Sequence, residues 1–355
     1  MSLDPAAWRA AALDPPRAHG APLGRGRLKL APEDFVVEER LGFVADGGSG
    51  HVLLKVRKRG RDTLSLAREL ARAGGVAPRD VGFAGLKDRH AVTTQWFTVP
   101  ARRAAADWAG QAGPDYAVEE ALPHSRKLKR GALRGNRFRI TLREVEVDAA
   151  ALAARVELLT GVGVPNYFGP QRFGRDGSNL DSIARFVASG ELPNGREPRA
   201  FVYSAARALV FNALLARRVG AGSWNRLLDG EFVNLEGRNS WFAAEHIDAT
   251  LEERLARHDV NPTGPLAGRG EAPGAVAGAL ESAVVAEFGE LQARLVTSGL
   301  EAARRPLRLR PDALQLSRSG SDLTVEFGLP AGAYATVVLR ELVSTEPLPG
   351  EANDD

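Results

Sequence analysis

Apolar and polar positions alternate most regularly between residues 137 and 143, where Phe138, Ile140 and Leu142 interleave with Arg137, Arg139, Thr141 and Arg143. A two-residue period predicts a half-buried strand, here with a basic outer face. Short apolar stretches between charges predict further strands over residues 35–37 and 51–60, the second with a cationic end. Gly47, Gly48 and Gly50 form a turn ahead of the second. Leu64, Ala67, Leu70 and Ala71 then recur at helical spacing, with Asp62 as N-cap and Gly74 and Gly75 as the stop. Residues 81–84 and 93–99 read as two more strands, and 85–90 as the loop joining them. Asp148 caps a helix running to about residue 159.

The texture changes at Gly161. GVGVPNYFGPQRFGRDGSN is rich in Gly, Pro, aromatics and Arg and reads as a structured loop. Helical patterns then dominate, over 180–188, 204–219, 248–258 and 275–300, with 261–274 as a loop. Strands return in LRLRPDALQLS, DLTVEFGLP and YATVVLREL. Strands, a mostly helical block and strands again predict one α+β domain, built from both ends of the chain, with a helical domain inserted. The expected division is a loosely ordered arm over 1–24, a discontinuous domain over 25–162 and 306–345, an insertion over 163–305 and a tail over 346–355. The arm is expected because Pro15, Pro16 and Pro22 oppose a long helix.

Composition narrows the chemistry. With 355 residues, 44% of them hydrophobic, the chain can bury a full core. The pI of 9.4 permits a nucleic-acid partner if the cations cluster on one face. The absence of cysteine excludes disulfides, thiolate nucleophiles and cysteine-ligated zinc or iron–sulfur centres. No two of the six histidines stand at i, i+3 or i+4, so no metal is expected. No apolar run reaches the ~18 residues of a membrane span, and a cytoplasmic protein without a membrane partner is expected. Neither GGSGHVLLK nor GVGVPNYFG has the spacing of a nucleotide-binding loop, and no G-x-S-x-G elbow exists.

Asp88 is the strongest catalytic candidate. It stands in KDRH, on a loop between two strands. Aspartate is common in ordinary turns, but Lys87 and Arg89 would favour its ionised form. Gly85 would permit a close backbone approach, and Gln95 and Trp96 lie just beyond. The run Arg126, Lys127, Lys129, Arg130, Arg134, Arg137 and Arg139 is either a solvated basic face or a set of RNA phosphate contacts. NYFGPQRFG is either a packing hinge or an RNA contact, with Arg172 and Arg175 as phosphate ligands in the second case.

GFAGLKDRHAVTTQW resembles the signature of the TruD family of tRNA pseudouridine synthases. PEDFVVEE, RKLKRGALRGNRF, GVPNYFGPQRFG, SAARALVFN and LPAGAYATVVLREL also resemble family blocks, in the family's order. The resemblance implies a pseudouridine-synthase catalytic domain: a mixed, mainly antiparallel sheet with flanking helices and a central cleft, interrupted by a mostly helical TRUD domain. It implies isomerisation of uridine 13 of tRNA to pseudouridine, by a monomer without cofactor. Asp88 matches the catalytic aspartate, acting either as nucleophile on C1′ or as base at C2′. Lys29 is expected beside it. Phe35, Asn136 and Tyr334 match positions that contact the target nucleotide, with Phe138 as the alternative aromatic. The family often has phenylalanine where this chain has Tyr334. A tRNA-folding chaperone on the same scaffold, with secondary or lost catalysis, is the rival expectation.

Overall fold

The computed structural model describes residues 5–346. The chain divides into two compact units. One comprises residues 22–156, 311–332 and the chain from 342; the other comprises 157–310, 333–341 and the chain up to 21.

The first unit carries a sheet that has eleven strands among the described residues. Its main path runs Asp312–Ser319, Asp322–Pro330, Leu133–Glu146, Phe35–Leu41, Val92–Pro100, His51–Arg59, Tyr116–His124 and Ala112–Gly113. Phe35–Leu41 pairs in parallel with Val92–Pro100, and Arg25–Leu28 with Ser344–Glu346; the other ladders are antiparallel. The sheet is therefore mixed and mainly antiparallel. The helix Thr63–Ala73 presents Leu66, Ala67, Leu70 and Ala71 to a core with Val52, Leu54, Val56, Phe97 and Val99. Its start is fixed by Asp62, whose carboxylate accepts from the Ser65 N–H at 2.8 Å. Leu64, expected on the buried face, is exposed, and Leu66 takes its place.

The second unit is built around the helix Arg196–Gly220. This helix is long and apolar enough for a membrane span by length and hydropathy, which qualifies the sequence expectation. Its residues 205, 206 and 208–212 are buried in the unit, as in the core helix of a globular domain. Beside it lies a four-stranded antiparallel sheet, ordered Trp241–Ala243, Phe232–Leu235, Val260–Leu266 and Ala303–Pro306.

Four expectations are corrected. Residues 261–274 are not wholly loop, since Val260–Leu266 is a central strand despite Pro262 and Pro265. At Gly264 a Cβ would lie 3.0 Å from the Phe211 ring and 2.9 Å from Leu307, so the strand needs glycine there to approach the helix. YATVVLREL is not a strand but contains the helix Ala335–Leu342, because Ala335, Val338, Leu339 and Leu342 repeat with helical period. Residues 275–300 form two helices, Ala275–Glu287 and Gly289–Thr297. The arm, over residues 5–24, is not loosely ordered: Pro5–Leu13 is helical, with Trp8 buried and stacked on Phe288. Pro15 and Pro16 follow this helix and do not prevent it. Residues 1–4, and the expected tail apart from the backbone of Glu346, lie outside the described residues.

Candidate active site

In the unit with the large sheet, three buried strand faces turn polar near one another. The face of Phe35–Leu41 runs Phe35, Val37, Glu39. That of His51–Arg59 runs Val52, Leu54, Val56, Lys58. That of Leu133–Glu146 runs Leu142, Ile140, Phe138, Asn136, and places Asn136 opposite Glu39. Glu39 and Lys58 are only 2% and 1% exposed. Buried charges need partners, and here they find them on the loop that carries Asp88.

That loop is fastened by side chains from two directions. The Thr63 hydroxyl donates to Gln95 Oε1 at 3.1 Å and accepts from the Lys87 N–H at 3.0 Å. Gln95 Nε2 donates to the Gly85 carbonyl at 2.7 Å. The Lys58 ammonium donates to the backbone carbonyls of Asp88, at 3.2 Å, and Arg61, at 2.5 Å. Burial pulls the Lys58 amine down to about 8, against the opposing pull of the nearby Asp88 and Asp62 charges. Gly85 is not a close-approach residue, since a Cβ there would meet no atom within 4 Å. Gly82 is: a Cβ there would lie 2.5 Å from the Leu128 carbonyl oxygen.

The Asp88 side chain is 35% exposed. Its Oδ1 accepts from the His90 N–H at 2.9 Å, and its Oδ2 is ion-paired and hydrogen-bonded to the Lys29 ammonium. Burial alone would raise this carboxyl, but the Lys29 charge, the Lys29 hydrogen bond and the His90 N–H together hold it below the ordinary value. The cation that keeps Asp88 ionised is thus Lys29, not the expected Lys87 and Arg89. Lys29 follows the strand Arg25–Leu28 in a left-handed conformation, φ 60°, and its ammonium lies 4.7 Å from the Phe35 ring centre. Phe35 meets Phe138 edge-on, ring centres 6.2 Å apart. Phe138 in turn stacks on Phe327 at 5.5 Å and is buried inside this aromatic row.

Lys87 turns to Asn136 and Glu39 instead. Its ammonium donates to Asn136 Oδ1 at 2.8 Å and lies 3.8 Å from Glu39 Oε1. Burial lowers the Lys87 amine and raises the Glu39 carboxyl; each charge opposes the shift of the other. Glu39 Oε2 accepts from the Trp96 N–H at 3.1 Å. Arg137 and Arg139, from the cationic run, point to the opposite sheet face with Glu326, at 3.7 and 3.9 Å. Arg130 lies over the Phe83 ring at 4.0 Å.

Lys29, Phe35, Asp88, Asn136 and Phe138 therefore all stand in one unit, linked by direct contacts through Lys87 and the aromatic row. Tyr334 stands in the other unit. Its hydroxyl accepts from Arg172 Nε at 2.8 Å, and its ring meets Phe168 edge-on. Arg172 also donates to the Ser204 hydroxyl at 3.0 Å, so it packs within NYFGPQRFG's own surroundings. Lys58, Glu39 and Thr63 were missed by the sequence reading. Lys58 and Glu39 carried a signal, as charged residues that continue an apolar alternation. Among the described residues no cluster of three His, Asp or Glu side chains could hold a metal.

The fold that carries this loop has a counterpart among solved structures. A candidate tRNA pseudouridine synthase D (TruD) from Methanosarcina mazei, known as a crystal structure, shares the α+β fold with a TM-score of 0.72 at 22% identity, over 97% of this chain and 98% of that one. The family model of tRNA pseudouridine synthase D (TruD) matches residues 19–195 and 198–342. A tRNA pseudouridine synthase D from Methylococcus capsulatus is 46% identical, over 94% of this chain and 95% of the relative. Another from Nitrosococcus oceani is 45% identical, over 93% and 94%. The chain belongs to the TruD family of tRNA pseudouridine synthases.

Proposed function

We propose that this protein isomerises uridine 13 of tRNA to pseudouridine, with Asp88 as the reacting carboxylate. The observation that carries this reading is the setting of Asp88: its carboxyl is held below the ordinary value by Lys29, hydrogen-bonded on both oxygens and still partly open to solvent. The reaction breaks the N1–C1′ bond, turns the uracil and forms a C5–C1′ bond; the C5 proton is lost and N1 gains one, so substrate and product are isomers. An ionised Asp88 can begin it in either of two ways: by attack on C1′, giving a covalent sugar ester, or by removing the C2′ proton. The target must leave the base stack to reach the carboxylate. Phe35 offers an aromatic surface at the site, and Asn136 offers an amide for the uracil edge.

Asp88→Asn tests the proposal. It keeps the side chain's shape and an acceptor oxygen for Lys29 but removes the reacting charge. Pseudouridine mapping on tRNA should show loss of modification, by about a thousandfold or more in rate, with tRNA binding unchanged. Persistent modification by this variant would refute the assignment. Mapping RNA from cells with and without the gene tests the target position separately.

A further inference from the structure

The polar atoms around Lys87 have a direction. An ammonium only donates hydrogen bonds, so the Asn136 atom facing Lys87 must be its oxygen, as the 2.8 Å contact has it. The amide NH2 is thereby turned away from Lys87, and among the described residues nothing accepts a hydrogen bond from it. Lys87 is itself held from behind by Glu39, buried and anchored to the Trp96 N–H. Glu39 and Asn136 sit opposite each other on adjacent strands, so both partners of Lys87 are fixed by the sheet. Asp88 follows Lys87 directly, which couples this arrangement to the reacting group.

We propose that Glu39 and Lys87 are positioning residues that lock the Asn136 amide with its NH2 toward the bound base, so that the site selects a pyrimidine carbonyl over an exocyclic amine. This rests on the reading of Asp88 and Asn136 as parts of a uridine site. Uracil presents an oxygen at C4 and accepts from the locked NH2. Cytosine presents an amine at the same position, and two donors then face each other. If the amide could flip, its oxygen would satisfy cytosine equally well, and selection would be lost. The lock thus supplies discrimination through a group that touches the base, with Lys87 and Glu39 acting only through it.

The test compares binding of two tRNA transcripts, one with uridine and one with cytidine at the modified position. Lys87→Met should reduce the preference for uridine about tenfold, on the scale of one hydrogen bond. Glu39→Gln/Lys87→Met removes both charges together, so that no buried charge is left alone, and should show the same loss. Asn136→Ala should also lose the preference, and adding Lys87→Met to it should change nothing further. Additive effects, or equal weakening of both transcripts, would overturn the proposal, as would an unchanged preference in a folded Lys87→Met variant. Wild-type protein that forms no pseudouridine at all would refute the underlying function instead, so the two failures are distinguishable.

Discussion

Replacing Lys58 by methionine separates the cost of a buried charge from its use. Wild-type Lys58 is 1% exposed, and burial brings its pKa from 10.5 to about 8. Between these values the unfolded chain holds a proton that the folded chain has released. Stability therefore rises with pH across this window, and the cost of charging Lys58 is fully present below about pH 8. At about 1.4 kcal/mol per pKa unit, that cost is roughly 3 kcal/mol. Methionine removes it, but leaves the Asp88 and Arg61 carbonyls without their donor, at about 1–3 kcal/mol each. The opposing terms are of similar size, so near neutral pH the variant should stay folded with a stability change of a few kcal/mol at most. The distinguishing quantity is the pH dependence. Urea unfolding near pH 7 and about pH 9.5 should show the wild type gaining about 2 kcal/mol relative to the variant. Isomerisation by Lys58→Met should fall about tenfold, as the Asp88 loop loosens, with tRNA binding retained. Parallel stability profiles for the two proteins would refute the buried-cation argument.

Two further variants probe groups that the family resemblance ties to the reaction. Lys29→Met removes the main charge that lowers the Asp88 carboxyl, leaving burial to raise it. The acid limb of kcat/KM should move to higher pH, with activity lost as pH falls through the new value; an unmoved limb would show that Lys29 does not control the ionisation. Tyr334→Phe deletes the acceptor of Arg172 Nε. It should cost about 1 kcal/mol in thermal or urea stability and leave modification within about threefold of wild type; a hundredfold loss would mean that the hydroxyl itself serves the reaction.

Much of the large sheet was legible because its signals are local. The alternation at Phe138, Ile140 and Leu142 predicted a half-buried strand, and those residues are buried in Leu133–Glu146. Asp62 caps its helix because an aspartate before an amphipathic run has an N–H within reach. Asp88 on a loop between two strands was likewise readable from the flanking patterns. The inserted block was read less well. Pro262, Gly264 and Pro265 suggest a loop by every local rule, yet the segment is a strand, and at Gly264 the close approach of a helix to the strand backbone calls for glycine.

What the sequence determined by itself was the position of Asp88 and, through the recurrence of family blocks, the chemistry expected of it. What tertiary structure alone decided was which charges meet. Lys29 reaches Asp88 across 59 residues and Lys58 grips its carbonyl across 30, whereas the adjacent Lys87 turns to Asn136 and Glu39. A side chain's neighbours along the chain are set by covalent order, but its electrostatic partners are set by strand pairing and register. Burial then makes those partners obligatory, because a charge taken out of water is stable only where a group of opposite sign or an oriented dipole awaits it.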